Sequence, residues 1–140
     1  HHKEGGSVLA RWIKLELADK VFDKIFLDSD MLDRLDQIFE LTAHQTKNLI
    51  IILTKETMRR IWCAGEITAA IQQKVPTIQL ECTGFDRMTQ QEIAELGSVW
   101  TDSQKTDVEN LHQIQAAYRI LNTMNAFKLD RADQHHAQVE

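Results

Sequence analysis

The segment Leu49–Leu53 reads Leu-Ile-Ile-Ile-Leu and is the longest wholly apolar run in the chain. A strand with one face in water alternates apolar and polar residues, whereas a strand covered on both faces is apolar throughout. A membrane-spanning helix would need about 20 apolar residues, far more than this run supplies. The run therefore predicts an interior strand of a parallel sheet that has helices on both faces.

Segments with helical spacing of apolar residues alternate with short segments typical of strands. The spacing predicts helices over about 8–19, 31–42, 55–73, 90–96 and 107–124. Further strands are predicted at 21–27 and 76–82, and a short edge strand at 97–101. This order is typical of an α/β domain built on a parallel sheet. Residues 1–124 are predicted to form the single domain, and 125–140 a polar C-terminal tail.

Charge and cysteine content exclude several classes of protein. Sixteen Lys and Arg against 21 Asp and Glu give a net charge of −5, which disfavours binding to nucleic acid or to an anionic membrane. Cys63 and Cys82 have apolar neighbours and no metal-ligand spacing, which favours two buried thiols in a reducing, cytoplasmic compartment. The histidines also lack metal-ligand spacing, so no metal site is predicted.

About 100 residues from the start of the chain resemble a Toll/interleukin-1 receptor (TIR) domain. The resemblance rests on the order of three segments, namely Phe26-Leu27-Asp28-Ser29-Asp30, the Leu49–Leu53 strand followed by Thr54, and Trp62-Cys63-Ala64-Gly65-Glu66-Ile67. It implies a flavodoxin-like parallel sheet flanked by helices. The opening residues 1–6 are similar to the loop that follows the family's first strand, so we expect that this strand is missing from a trimmed chain.

The resemblance also implies a catalytic residue. Glu66 matches the glutamate with which NAD-cleaving members of the family act, and Trp62 precedes it by four positions. Residues at i and i+4 lie on one helix face, so an indole and a carboxylate can line one cleft. Cleavage of the nicotinamide–ribose bond passes through an oxocarbenium-like state and releases neutral nicotinamide. One carboxylate can therefore suffice, with NAD as substrate and no bound cofactor.

Four further residues are candidate substrate contacts, each with a structural alternative. Asp28 and Ser29 follow a predicted strand, where they could meet the substrate ribose or act only as loop and N-cap residues. Lys3 could approach a phosphate or belong to a flexible end, and Thr54 could contact the ligand or cap the helix that follows it.

Two functions of different classes follow from the resemblance. The first is a TIR-type NAD glycohydrolase that yields nicotinamide and ADP-ribose or a cyclic product. The second is a non-catalytic module that acts in signalling by homotypic self-association. The retained Trp62 and Glu66 favour the enzyme.

Overall fold

The computed structural model describes residues 6–27, 42–100 and 108–129, and within them it contains a sheet of three parallel strands. The strands are β1, Leu49–Leu53; β2, Thr77–Cys82; and β3, Ala126–Leu129. Their order is β1-β2-β3, with Leu49 opposite Thr77 and Gln79 opposite Ala126. The predicted α/β class with a parallel sheet flanked by helices is confirmed, and it is compatible with a flavodoxin-like fold.

The described helices are α1, Gly6–Ala18; α2, Ile61–Gln72; α3, Gln90–Ala94; and α4, Val108–Thr123. Short 3-10 turns span Thr57–Arg59 and Leu96–Ser98. Helix α2 connects β1 to β2 and packs against α4. Part of the helix predicted over 31–42 lies outside the described residues, and residues 42–44 are helical.

Buried apolar side chains of the described residues form one core cluster, which joins β1 to α2, α3, α4 and the connections between them. From β1 it contains Ile51 and Leu53, which point to the same face because they are two residues apart. The helices and connections contribute Met58, Ala64, Ile67, Met88, Ile93, Leu96, Trp100, Ile114, Tyr118 and Leu121. On β2, the buried side chain of Gln79 donates from Nε2 to the carbonyl of Leu121 at 3.0 Å. This bond satisfies a polar group inside the core.

The sheet differs from the predicted one in the position of β1. Within the described residues β1 pairs with β2 alone, and β2 takes the central position. The prediction that Leu49–Leu53 is an interior strand is therefore wrong for this part of the sheet. An apolar run indicates that both faces of a strand are buried. It does not indicate how many neighbouring strands pair with its two edges.

Three local predictions are also wrong. Residues 21–27 form neither helix nor strand, with a bend at Phe22 and Asp23, and Phe22 is fully exposed. The edge strand predicted at 97–101 is replaced, over its described part, by the end of the Leu96–Ser98 turn and a buried Trp100. Conversely, the polar tail predicted from residue 125 contains β3. An edge strand leaves much of its surface in solvent, so polar residues there do not exclude pairing.

Arg87 ties the end of β2 to the end of α4. Its Nε donates to Glu81 Oε1 at 2.7 Å, and its Nη1 donates to the carbonyls of Asn122 and Met124 at 2.7 and 3.2 Å. A guanidinium can serve these three acceptors together because its donors diverge in one plane. The last carbonyls of a helix have no partner within it. Arg87 supplies a donor to the two carbonyls at the C-terminal end of α4.

Arg87→Lys should lower the free energy of unfolding by about 2 kcal/mol, because a single ammonium cannot replace the planar fork and leaves part-buried acceptors unsatisfied. Urea unfolding followed by circular dichroism measures the change. Lys47→Met is the matched control, because Lys47 pairs with Asp23 on the surface, where an ion pair adds little. Equal effects of the two substitutions would contradict the role given to Arg87.

Candidate functional site

The connection from β1 to α2 begins with two buried threonines. Thr57 Oγ1 donates to the carbonyl of Ile52 at 2.9 Å, and it accepts from the backbone N–H of Thr54 at 3.0 Å. The two hydroxyl oxygens are also 3.0 Å apart. Since a hydroxyl has one hydrogen and that of Thr57 goes to Ile52, Thr54 must be the donor in the pair. The hydroxyl of Thr54 can offer a ligand only its acceptor lone pairs.

The Thr57–Arg59 turn follows, and side chains from distant parts of the chain hold two of its carbonyls. Tyr118 Oη donates to the carbonyl of Met58 at 2.8 Å, and Trp100 Nε1 donates to that of Arg59 at 2.9 Å. Burial, and secondarily the nearby Cys63, raises the pKa of Tyr118 far above its usual range. Tyr118 therefore stays protonated and remains a donor.

Helix α2 starts later than the sequence predicts. Arg60 is extended, with φ −97° and ψ 125°, and it is the N-cap of a helix that begins at Ile61. The prediction of one helix from residue 55, capped by Thr54, is wrong. The hydrogen bonds from Tyr118 and Trp100 hold residues 57–59 as a separate turn before the helix. Tertiary contacts therefore override the helical period of the sequence at this point.

Trp62 and Glu66 both lie on α2, so the structure places them one turn apart on one helix face. The buried residues Ala64 and Ile67 lie on the other side of the helix. Trp62 is 48% exposed and Glu66 is half-buried. A half-buried carboxylate next to an indole combines a negative charge with an apolar surface, which suits a cationic or electron-poor aromatic ligand.

The other predicted site residues are not brought to this pair by any described contact. Lys3, Asp28 and Ser29 lie outside the described residues. Thr54 is buried, and its described hydrogen bonds go to Thr57 within the same connection. The pair on α2 is therefore the part of the predicted site whose geometry the structure describes.

Arg60 is a neighbour of this pair that sequence reasoning missed. It precedes Trp62 by two residues, its Nη2 lies 3.4 Å from Glu56 Oε2, and its buried Nε has no hydrogen-bond partner. Arginine is not among the residues preferred at the N-cap of a helix, so the sequence pattern did not indicate Arg60 at this position. Arg60 therefore adds a cation at the start of α2, the helix that carries Trp62 and Glu66.

Comparison with known proteins finds no matching family model and no match among curated proteins. In the described part of the chain, no helix is long and apolar enough to cross a membrane. Residues 6–27, 42–100 and 108–129 also contain no cluster of His, Cys, Asp and Glu that could hold a metal ion. The geometry of α2 and of its connection to β1 therefore carries the functional interpretation.

The Thr57–Arg59 turn is also linked to α3 through Glu92. Arg59 Nη2 donates to Glu92 Oε1 at 3.2 Å, and Glu92 closes a capping box with Thr89 at the start of α3. Hydrogen bonds from Thr89, then from Arg59, hold the pKa of Glu92 below its usual value of 4.5. A lowered carboxyl pKa in the folded state adds stability above the unfolded-state pKa, and this contribution is lost as pH falls through the folded-state pKa.

Glu92→Gln should therefore lower the free energy of unfolding near neutral pH, and the difference from the parent protein should shrink on acidification to about pH 3. The reason is that at low pH the carboxylate of Glu92 in the parent protein is protonated and has lost its charge, as in the Gln variant. Urea unfolding of both proteins at several pH values measures the difference. A difference that does not change with pH would contradict the role of the ionised carboxylate.

Proposed function

We propose that this protein is a TIR-type NAD glycohydrolase in which Glu66 is the catalytic carboxylate and Trp62 contacts the substrate. The observation that carries the proposal is the placement of the half-buried Glu66 one turn after the exposed Trp62, on the side of α2 away from the core. Helix α2 follows β1, so its start lies near the carboxyl end of the sheet, the edge at which open α/β folds bind ligands.

The strand order supports a flavodoxin-like, TIR-like architecture. In a flavodoxin-like sheet the strand order is 2-1-3-4-5, so the last three strands are neighbours in sequence order. The order β1-β2-β3 corresponds to these three strands. In this interpretation β1, β2 and β3 correspond to the third, fourth and fifth strands of the flavodoxin-like sheet.

The proposed reaction breaks the bond between ribose C1′ and the pyridinium nitrogen. The electron pair of that bond goes to the nitrogen, so nicotinamide leaves as a neutral molecule and needs no proton from the protein. The carboxylate of Glu66 stabilises the positive charge that develops on the ribose, and partial burial strengthens this interaction relative to water. Addition of water at C1′, with loss of its proton to solvent, gives ADP-ribose. Attack by an adenine nitrogen gives a cyclic product.

Trp62 and Arg60 fit the remaining parts of the same substrate. The exposed indole offers an aromatic surface on which a base can stack. The guanidinium of Arg60, which is partly exposed and pairs with Glu56 at the start of α2, offers positive charge to a pyrophosphate. NAD is in this proposal the substrate, and no further cofactor is needed.

Glu66→Gln should reduce NAD cleavage by at least about a hundredfold, roughly 3 kcal/mol, because the amide keeps the size of the side chain but loses the charge that faces the oxocarbenium. Release of nicotinamide, followed by chromatography, measures the rate. Glu95→Gln is the control, because Glu95 is an exposed carboxylate at the end of a different helix, α3. Full activity of Glu66→Gln would show that the assigned role is wrong.

The second candidate function is a self-associating interaction module, and an exposed apolar stripe on α1 favours it. Val8, Trp12 and Leu15 are 72%, 52% and 68% exposed. Their spacing of i, i+4 and i+7 places them on one helix face. Exposed apolar stripes of this kind are typical of surfaces that bind another protein. Homotypic association is compatible with the enzyme as well, since a neighbouring copy can complete or order a site.

If the enzyme acts through self-association, the rate per protomer should fall on dilution, because dissociation separates the copies. Turnover measured over a wide concentration range, with sedimentation velocity on the same samples, tests this expectation. Leu15→Glu should shift the concentration dependence of turnover and that of sedimentation to higher protein concentration, because a charge on the apolar stripe opposes its burial. Ile120→Glu, at an exposed apolar position of α4, is the matched control.

A constant rate per protomer, with monomers at every concentration, would exclude this dependence. If neither the parent protein nor Glu66→Gln cleaves NAD while the parent still self-associates and Leu15→Glu does not, the interaction module replaces the enzyme as the function.

A further inference from the structure

Two buried aromatic side chains hold adjacent carbonyls of the Thr57–Arg59 turn. Tyr118, from the middle of α4, donates to Met58, and Trp100, from the bend after the Leu96–Ser98 turn, donates to Arg59. The exposed fractions of Tyr118 and Trp100 are 0% and 4%. A buried carbonyl without its donor costs free energy, so each bond strongly favours one orientation of the turn.

Helix α2 lacks the usual local device for fixing its start. Its N-cap is Arg60, which makes no side-chain capping bond. The backbone N–H of Arg60 donates to Thr57 over a long 3.4 Å, whereas that of Ala64 donates to Arg60 at 2.9 Å. The direction in which α2 leaves the sheet is therefore set by the turn before it, and the turn is held by Tyr118 and Trp100.

We propose that Tyr118 and Trp100 are positioning residues for the functional face of α2. Their hydrogen bonds to Met58 and Arg59 fix the first two turns of the helix, which carry Trp62 and Glu66. The consequence for catalysis rests on the proposed function, whereas the consequence for the start of α2 does not. A shift of about 1 Å in a catalytic group can lower a rate a hundredfold, so two distant hydrogen bonds can control the chemistry.

Both aromatic rings also fill the core, so the test must remove the donor and keep the ring. Tyr118→Phe does this with little change of shape. The matched control is Gln115→Met, also on α4. Gln115 is buried and donates from Nε2 at 3.0 Å to the carbonyl of Ala94, which belongs to α3 and not to the Thr57–Arg59 turn. Both variants lose one buried side-chain donor to a backbone carbonyl, and only one of the two bonds holds the turn.

Amide hydrogen exchange, measured where all proteins are folded, reports on the start of α2 without reference to NAD. We expect Tyr118→Phe to speed exchange at Ala64, Gly65 and Glu66 by about tenfold or more relative to Ile71 and Gln72 at the other end of the helix. Gln115→Met should leave this ratio unchanged. Trp100→Phe, which removes the bond to Arg59 together with part of the buried ring, should raise the ratio as well, and it serves as the second variant if Tyr118→Phe does not fold.

Steady-state kinetics of NAD cleavage test the catalytic consequence. Tyr118→Phe should lower kcat by about tenfold or more, with a much smaller change in KM, because misplacement affects the transition state more than ground-state binding. Gln115→Met should keep the kcat of the parent. If the parent protein does not cleave NAD, the proposed function is wrong. The hydrogen-exchange ratio does not depend on NAD and still tests whether the two side chains position α2.

Two results would overturn the inference. The first is an exchange ratio that stays at the parent value in Tyr118→Phe and Trp100→Phe, or that rises equally in Gln115→Met. The second is an active parent whose kcat is unchanged in Tyr118→Phe although the exchange ratio has risen. In the first case the rings act only by packing, and in the second the start of α2 does not control the chemistry.

Discussion

The pair of hydrogen bonds from Tyr118 and Trp100 to the Thr57–Arg59 turn is the constraint on which the arrangement around α2 depends. They join the connection between β1 and α2 to the last described helix, 60 residues away in sequence, and to the bend after the Leu96–Ser98 turn, 41 residues away. Because α2 has no side-chain cap, its direction depends on these long-range bonds more than on its own sequence. The same turn reaches α3 through the ion pair of Arg59 with Glu92.

The remainder of the described fold follows a similar principle, in which single polar side chains join elements that the apolar core has already brought together. Gln79 links the central strand to the end of α4, and Arg87 links the end of the same strand to Asn122 and Met124. Apolar burial is non-directional and fixes only which faces meet. Hydrogen bonds to specific carbonyls select the register in which those faces pack.

These constraints have a direct bearing on the proposed chemistry. A single carboxylate that stabilises a cationic transition state acts through its position and its local dielectric environment, so a helix fixed from outside its own sequence is a suitable support. Glu66 and Trp62 are placed by helical spacing, but their approach to a ligand depends on where α2 begins. The exposed stripe on α1 lies on a separate element, so association and chemistry can be altered independently by substitution.

The sequence by itself determined the α/β class, the strand at Leu49–Leu53 and the common helix face of Trp62 and Glu66. These features depend on the periodicity of apolar residues and on interactions over three or four positions, which a linear pattern records. Only the tertiary structure decided the late start of α2 and the pairing of β3 with β2. Each of these depends on partners remote in sequence or on a neighbouring strand, and no local pattern of residue types encodes such partners.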